Sequence, residues 1–142
     1  MSEALAFFLN EENVITGLEF PDAGIDYVFM LHPSEWADLV LEWPTRSAIW
    51  KEGITYFAAF VPMKESGQLL ISALHDMDEN VVFQSLFSIH QSLTEELDET
   101  GVISYILSDN VKRKITTELQ QREDSFDEFP ELTELLELVE EL

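Results

Sequence analysis

The chain has 142 residues, 46% of them hydrophobic, which is the length of one domain with enough apolar material for a single core. It carries 29 Asp and Glu against 7 Lys and Arg, a formal net charge of -22, and no cysteine. So acidic a surface repels phosphate backbones and anionic membranes, which argues against direct nucleic-acid or membrane binding, and the missing cysteines exclude disulfides and thiolate metal sites. The same field steers basic proteins towards the chain, although acidity also serves solubility on its own. No run of 18 or more apolar residues occurs, and Met1-Ser2-Glu3-Ala4 lacks the basic start of a secretory signal. A soluble, cytoplasmic protein is expected.

In chain order, Ser2 is placed to cap a short helix through Leu9, with Asn10-Glu11-Glu12-Asn13 ending it. From Val14 to Leu31 the signals conflict: Gly17, Pro21 and Gly24 punctuate the segment, while Ile25, Tyr27 and Phe29 alternate with Asp26, Val28 and Met30 as a strand would. Residues 1–32 are therefore expected to form an irregular N-terminal segment, with a helix possible at its end. Pro33-Ser34-Glu35 opens a helix that buries Trp36, Leu39, Val40 and Trp43 and stops before Pro44. Thr45 is expected to cap a second helix to about Val61, with Gly53 marking a bend or a close helix contact.

The stretch Gly67 to Leu93 reads as a helical hairpin. Leu69, Leu70, Ala73 and Leu74 form one apolar stripe and Val82, Leu86, Ile89 and Leu93 another, joined by the polar turn His75-Asp76-Met77-Asp78. The pattern L-L-x-x-A-L-x-D-x-D-x-x-V over Leu69 to Val81, followed by a second amphipathic helix, resembles a HEAT-type repeat; Val82 stands where those repeats often carry Arg. A shorter apolar helix over Val102, Ile103, Ile106 and Leu107, then a helix through Val111, Ile115 and Leu119 capped by Ser108 or Asp109, would make a third hairpin. The hairpins at Pro33, Glu65 and Thr100 recur at a helical-repeat spacing of thirty-odd residues. The expected fold is all-α: one domain over 1–142, with a small right-handed, HEAT/armadillo-like α-solenoid stack of about three hairpins at 33–121. Residues 129–142, with Leu132, Leu135, Leu136, Val139 and Leu142 on one stripe, would form a C-terminal capping helix.

Candidate chemistry is sparse. Asp76-x-Asp78-x-Asn80 has the spacing that opens an EF-hand loop, but the sixth and twelfth places, which need Gly and Glu, hold Val81 and Phe87. Asp78 reads instead as the cap of a helix starting at Glu79. His32, His75 and His90 lack the spacing of a local metal site, and no G-x-S-x-G elbow, P-loop or dinucleotide-binding glycine pattern is present. No catalytic residue, metal or cofactor is expected, and an enzyme is the least favoured class.

Binding surfaces are better supported. On the helix after Asp78, Phe83, Phe87 and His90 make a second apolar edge, which leaves Gln84, Ser88, Gln91 and Glu95 as a polar ridge that Asp98 and Glu99 extend. In α-solenoids the second helices of successive repeats line the concave surface, so the resemblance implies that this ridge faces a partner; an ordinary solvated face is the alternative. Trp36, Trp43 and Trp50 suit core packing, but an exposed tryptophan would be an interface anchor, and Trp43 is counted with the candidate contacts. These features together suggest an acidic protein-binding module of the immunity or antitoxin type, neutralising a basic toxin domain such as a bacterial nuclease. A scaffold or adaptor without inhibitory activity is the alternative.

Overall fold

The computed structural model describes residues 1–142 and is all-helical, with nine α-helices, two 3-10 turns and no strand. Helix α1 (Glu3–Leu9) starts where Ser2 Oγ accepts the Leu5 N–H at 3.0 Å. The segment expected to be irregular, with a helix at its end, holds two further helices, α2 (Glu11–Glu19) where irregular chain was expected and α3 (Asp22–Val28) towards that end. Asn10 ends α1 and also caps α2, its Oδ1 accepting the Asn13 N–H at 3.2 Å. Gly17 and Gly24 are not turn residues: a Cβ at either would stand 2.8 and 2.3 Å from the Phe57 ring. They let two short helices close over one buried aromatic.

Helix α4 (Pro33–Glu42) begins with its proline in the first turn, where the missing N–H costs nothing. Trp43–Thr45 is a 3-10 turn, and α5 (Ala48–Ala58) follows. Thr45 does not cap α5, because its Oγ1 donates to the Glu42 carbonyl at 3.1 Å; the cap is Ser47, which accepts the Trp50 N–H at 3.2 Å. Gly53 sits where α5 meets α2, so close that a Cβ would be 2.3 Å from Val14 Cγ1. The three tryptophans are buried, and Trp50 Nε1 donates to the Phe8 carbonyl at 2.8 Å, tying α5 to α1.

Helices α6 (Met63–Leu74) and α7 (Glu79–Thr100) form the central hairpin. Asp78 Oδ1 caps α7 by accepting the Asn80 and Val81 N–H groups at 2.9 and 3.2 Å. Asp76 is equally committed: Trp43 Nε1 and Lys51 Nζ both donate to its Oδ1 at 3.0 Å, and the Asp78 N–H donates to Oδ2. Burial opposes ionisation of Asp76, but these donors outweigh it and hold the carboxyl below the usual carboxylate value.

Residues 102–107, expected as a helix, form an extended connection. Ile103, Tyr105 and Leu107 point inward while Val102, Ser104 and Ile106 are exposed, a period of two rather than 3.6. Gly101, at φ 76, stops α7 in the left-handed conformation that only glycine adopts cheaply. Helices α8 (Asp109–Gln120), capped by Ser108, and α9 (Pro130–Glu141) complete the chain. The last helical pair is therefore α8 with α9, and not 100–107 with α8.

Packing arranges the helices in two rows, with α4, α6 and α8 in succession along one and α2, α5, α7 and α9 along the other. Helix α7, the longest, meets α5, α6 and α9, and its Leu86, Ile89 and Leu93 are fully buried. Each contributes about 1.5–3 kcal/mol through burial. No helix is long and apolar enough to cross a membrane.

Candidate functional site

Three sides of α7 are occupied, and this decides which of its polar residues remain available. Ser85, Ser88 and Ser92 are buried; Ser88 donates to the Thr55 carbonyl on α5 at 2.7 Å, and Ser92 to the Val61 carbonyl just after α5 at 2.6 Å. Ser88 therefore belongs to a helix contact and cannot face a partner. Phe83 and Phe87 pack edge-on against Phe129 before α9, and His90 Nε2 lies 2.9 Å from Glu134 Oε2 on α9. The open side keeps Gln84, Gln91, Glu95, Asp98 and Glu99.

The amino end of α7 is electrically quiet. Glu79 lies against the Arg122 guanidinium, which also donates to Glu118 Oε2 at 2.6 Å and to the Glu118 carbonyl at 2.8 Å. Lys114 completes the group, 2.7 Å from Glu118 Oε1. Burial opposes ionisation of Glu118, but Lys114 and Arg122 prevail and hold its carboxyl below the ordinary range.

The carboxyl end is the reverse. Glu95, Glu96, Asp98 and Glu99 fall within its final turns, no basic residue occupies its last turn, and none of the four makes an ion pair. Acids here oppose the helix dipole, and the spacings 95–98, 95–99 and 96–99 set like charges on adjacent turns. Partial burial pushes the Glu95 carboxyl above the ordinary carboxylate value; the Gln91 hydrogen bond opposes this, and the charges of Glu99 and Asp98 add to it. Glu96 is only 8% exposed. Its Oε1 accepts both the N–H and the Oγ–H of Ser104 at 2.6 Å, pinning the extended connection, while its Oε2 is buried with no hydrogen-bond partner. An orphaned buried oxygen of this kind costs about 1–3 kcal/mol.

These acids form one wall of a cleft of about 490 Å³. The facing wall is apolar: Ile25 and Phe29 from α3 and its end, and Phe60, Val61 and Pro62 from the α5–α6 connection. Phe29 is 63% exposed and Phe60 half-buried, so both rings offer surface to the cleft. A second cleft, of about 430 Å³, shares Pro62, Glu96 and Glu99 and is completed by Lys64, Thr100, Val102 and Ser104.

No family model, curated protein or solved structure matches this chain.

Of the residues expected from sequence to meet a partner, the structure brings Glu95, Asp98 and Glu99 together in one cleft wall, with Gln91 beside them donating to Glu95 Oε1 at 3.3 Å. Gln84 is half-buried on the same helix, donating to Ser88 Oγ at 3.1 Å. Trp43 is not an interface anchor: it is 8% exposed, stacked edge-on with Trp50 and hydrogen-bonded to Asp76. Sequence reasoning missed Glu96, Ile25, Phe29 and Phe60. The run Glu95-Glu96-Leu97-Asp98-Glu99 at a helix end was the available signal, since four acids there contradict the dipole rule. The apolar wall had no local signal, because its residues come from α3 and the α5–α6 connection, far from α7 in the chain. No group of three or more His, Asp or Glu side chains stands close enough to hold a metal ion. What the cleft can do chemically is accept hydrogen bonds from a cation while offering apolar surface beside it.

Proposed function

We propose that this protein is an acidic protein-binding module of the immunity or antitoxin type, which neutralises a basic partner, such as a nuclease toxin domain, by direct binding in the cytoplasm. The observation that carries this reading is the carboxyl end of α7: four carboxylates that make no ion pair, set beside apolar surface. A cationic surface docking there relieves the like-charge repulsion and supplies the donors the site lacks, and the field of the whole chain accelerates the encounter. Residues 1–45 and 123–142 contain no Lys or Arg, so both ends of the helical stack add to that field. The two rows of paired helices support a HEAT-like stack as the scaffold, with a register in which the last pair is α8 and α9.

The test is the product of the neighbouring gene. An immunity protein is encoded directly after a toxin, binds its basic C-terminal domain, abolishes its activity in coexpression, and associates more slowly as salt rises. Association insensitive to salt, or binding confined to neutral partners, overturns the reading. A salt-sensitive complex that leaves the partner fully active makes the protein an adaptor.

A further inference from the structure

The acidic wall is one feature of the cleft and the state of Glu96 is another. Three of the acids, Glu95, Asp98 and Glu99, are exposed and reach water, whereas Glu96 is held in the wall with one oxygen satisfied by Ser104 and the other by nothing. Buried carboxylate oxygens are ordinarily paired, and the residue that carries this one lines both clefts. Across from it stand the exposed ring of Phe29 and the half-buried ring of Phe60.

We infer that the cleft is a slot for one arginine side chain of an extended partner segment, flanked in that segment by a bulky apolar residue, with the Glu96 carboxylate as the acceptor at its base. Arginine fits better than lysine on three counts. Its planar fork carries several donors, so it bonds Glu96 and an outer acid such as Glu99 at once. It sheds its hydration more readily in a half-buried site, and its face stacks on aromatic rings such as Phe29 or Phe60. The apolar neighbour covers Ile25 and Pro62, which removes water from the ion pair and strengthens it. This deepens the reading given above and rests on it for the nature of the partner.

The probe is the peptide acetyl-Ala-Arg-Phe-amide, titrated into the intact chain and followed by amide chemical shifts, alongside the same peptide with lysine or with neutral citrulline in place of arginine. Saturable shifts confined to Phe29, Phe60 and the end of α7 are expected for the arginine peptide, weaker ones for lysine and none for citrulline. Glu96→Gln should weaken binding about tenfold and the exposed Phe29→Ala several-fold, whereas Glu137→Gln on the equally acidic α9 leaves it unchanged. Because Glu96 also holds Ser104, Phe29→Ala serves as the variant that leaves the fold untouched. Non-saturating shifts spread over the whole acidic surface, or equal binding of arginine and citrulline peptides, overturn the slot. A salt-sensitive complex with a basic protein that neither cleft variant weakens discards the slot and keeps the broader function. Peptide binding in a chain whose complexes are all with neutral proteins does the opposite.

Discussion

At the amino end of α7, Asp78 and Glu79 are favoured by the helix dipole, and Arg122 and Lys114 balance Glu79 and Glu118 beneath them. At the carboxyl end of the same helix, Glu95, Glu96, Asp98 and Glu99 oppose the dipole and one another, and no Lys or Arg pairs with them. The side chains are chemically alike, so their surroundings make the difference. Carboxylates that are paired and capped hold the fold together. Those kept at a helix end against local preference are the ones free to meet a cation from outside, and the apolar wall beside them gives such a partner something to bury against.

The comparison breaks most visibly at Arg122. Arg122→Ala leaves Glu118 with Lys114 alone and Glu79 with no partner, and is expected to cost about 2 kcal/mol and lower Tm by roughly 5–8 °C, read by thermal circular dichroism. An unchanged Tm would mean that this ion group contributes nothing and that the two ends are alike. Neutralising the other end, with Glu95→Gln, Asp98→Asn and Glu99→Gln together, should leave stability unchanged or raise it by up to about 1 kcal/mol. The same triple variant should slow association with a basic partner about tenfold at low salt. Loss of stability comparable to that of Arg122→Ala would show that these acids serve the fold after all.

The smallest effect is a difference in the sign of pH dependence. Glu118 has a folded-state pKa below its unfolded value, so its contribution is fully present above the unfolded pKa and is lost as pH falls through the folded one. Glu95 is raised, so its stabilising contribution is present below the unfolded pKa and is lost as pH rises through the folded value; near neutral pH it is a liability. Urea midpoints of wild type and Glu95→Gln should therefore converge as pH falls through the upper carboxylate range, while those of wild type and Arg122→Ala converge only at lower pH. Convergence of both pairs over the same interval would contradict the two opposed environments.

The helices built on long apolar stripes were legible without coordinates: α4, most of α6, α7 and α9 all lie where period 3.6 places them, and Ser2, Asp78 and Ser108 are the caps their neighbours predict. Two misreadings share a cause. Gly17 and Gly24 look like punctuation but are absences of side chain that make room for Phe57. The run Val102 to Leu107 looks helical by composition, yet its alternation is extended, held so by Glu96 and by Gly101 before it. In both cases a distant residue supplies the reason for the local conformation.

The same division holds for the site. Sequence alone determined that the chain is helical and strongly acidic and that α7 ends in a run of acids, because periodicity, charge and capping act over neighbouring residues. Tertiary structure decided that Ser88 and Trp43 turn inward, that Glu79 and Glu118 find a guanidinium while Glu95 to Glu99 find none, and that Phe29 and Phe60 stand opposite those acids. Those outcomes depend on which helices pack together. Hydrogen bonding and charge pairing across 30 or 40 residues of chain follow that packing and leave no mark in the local pattern.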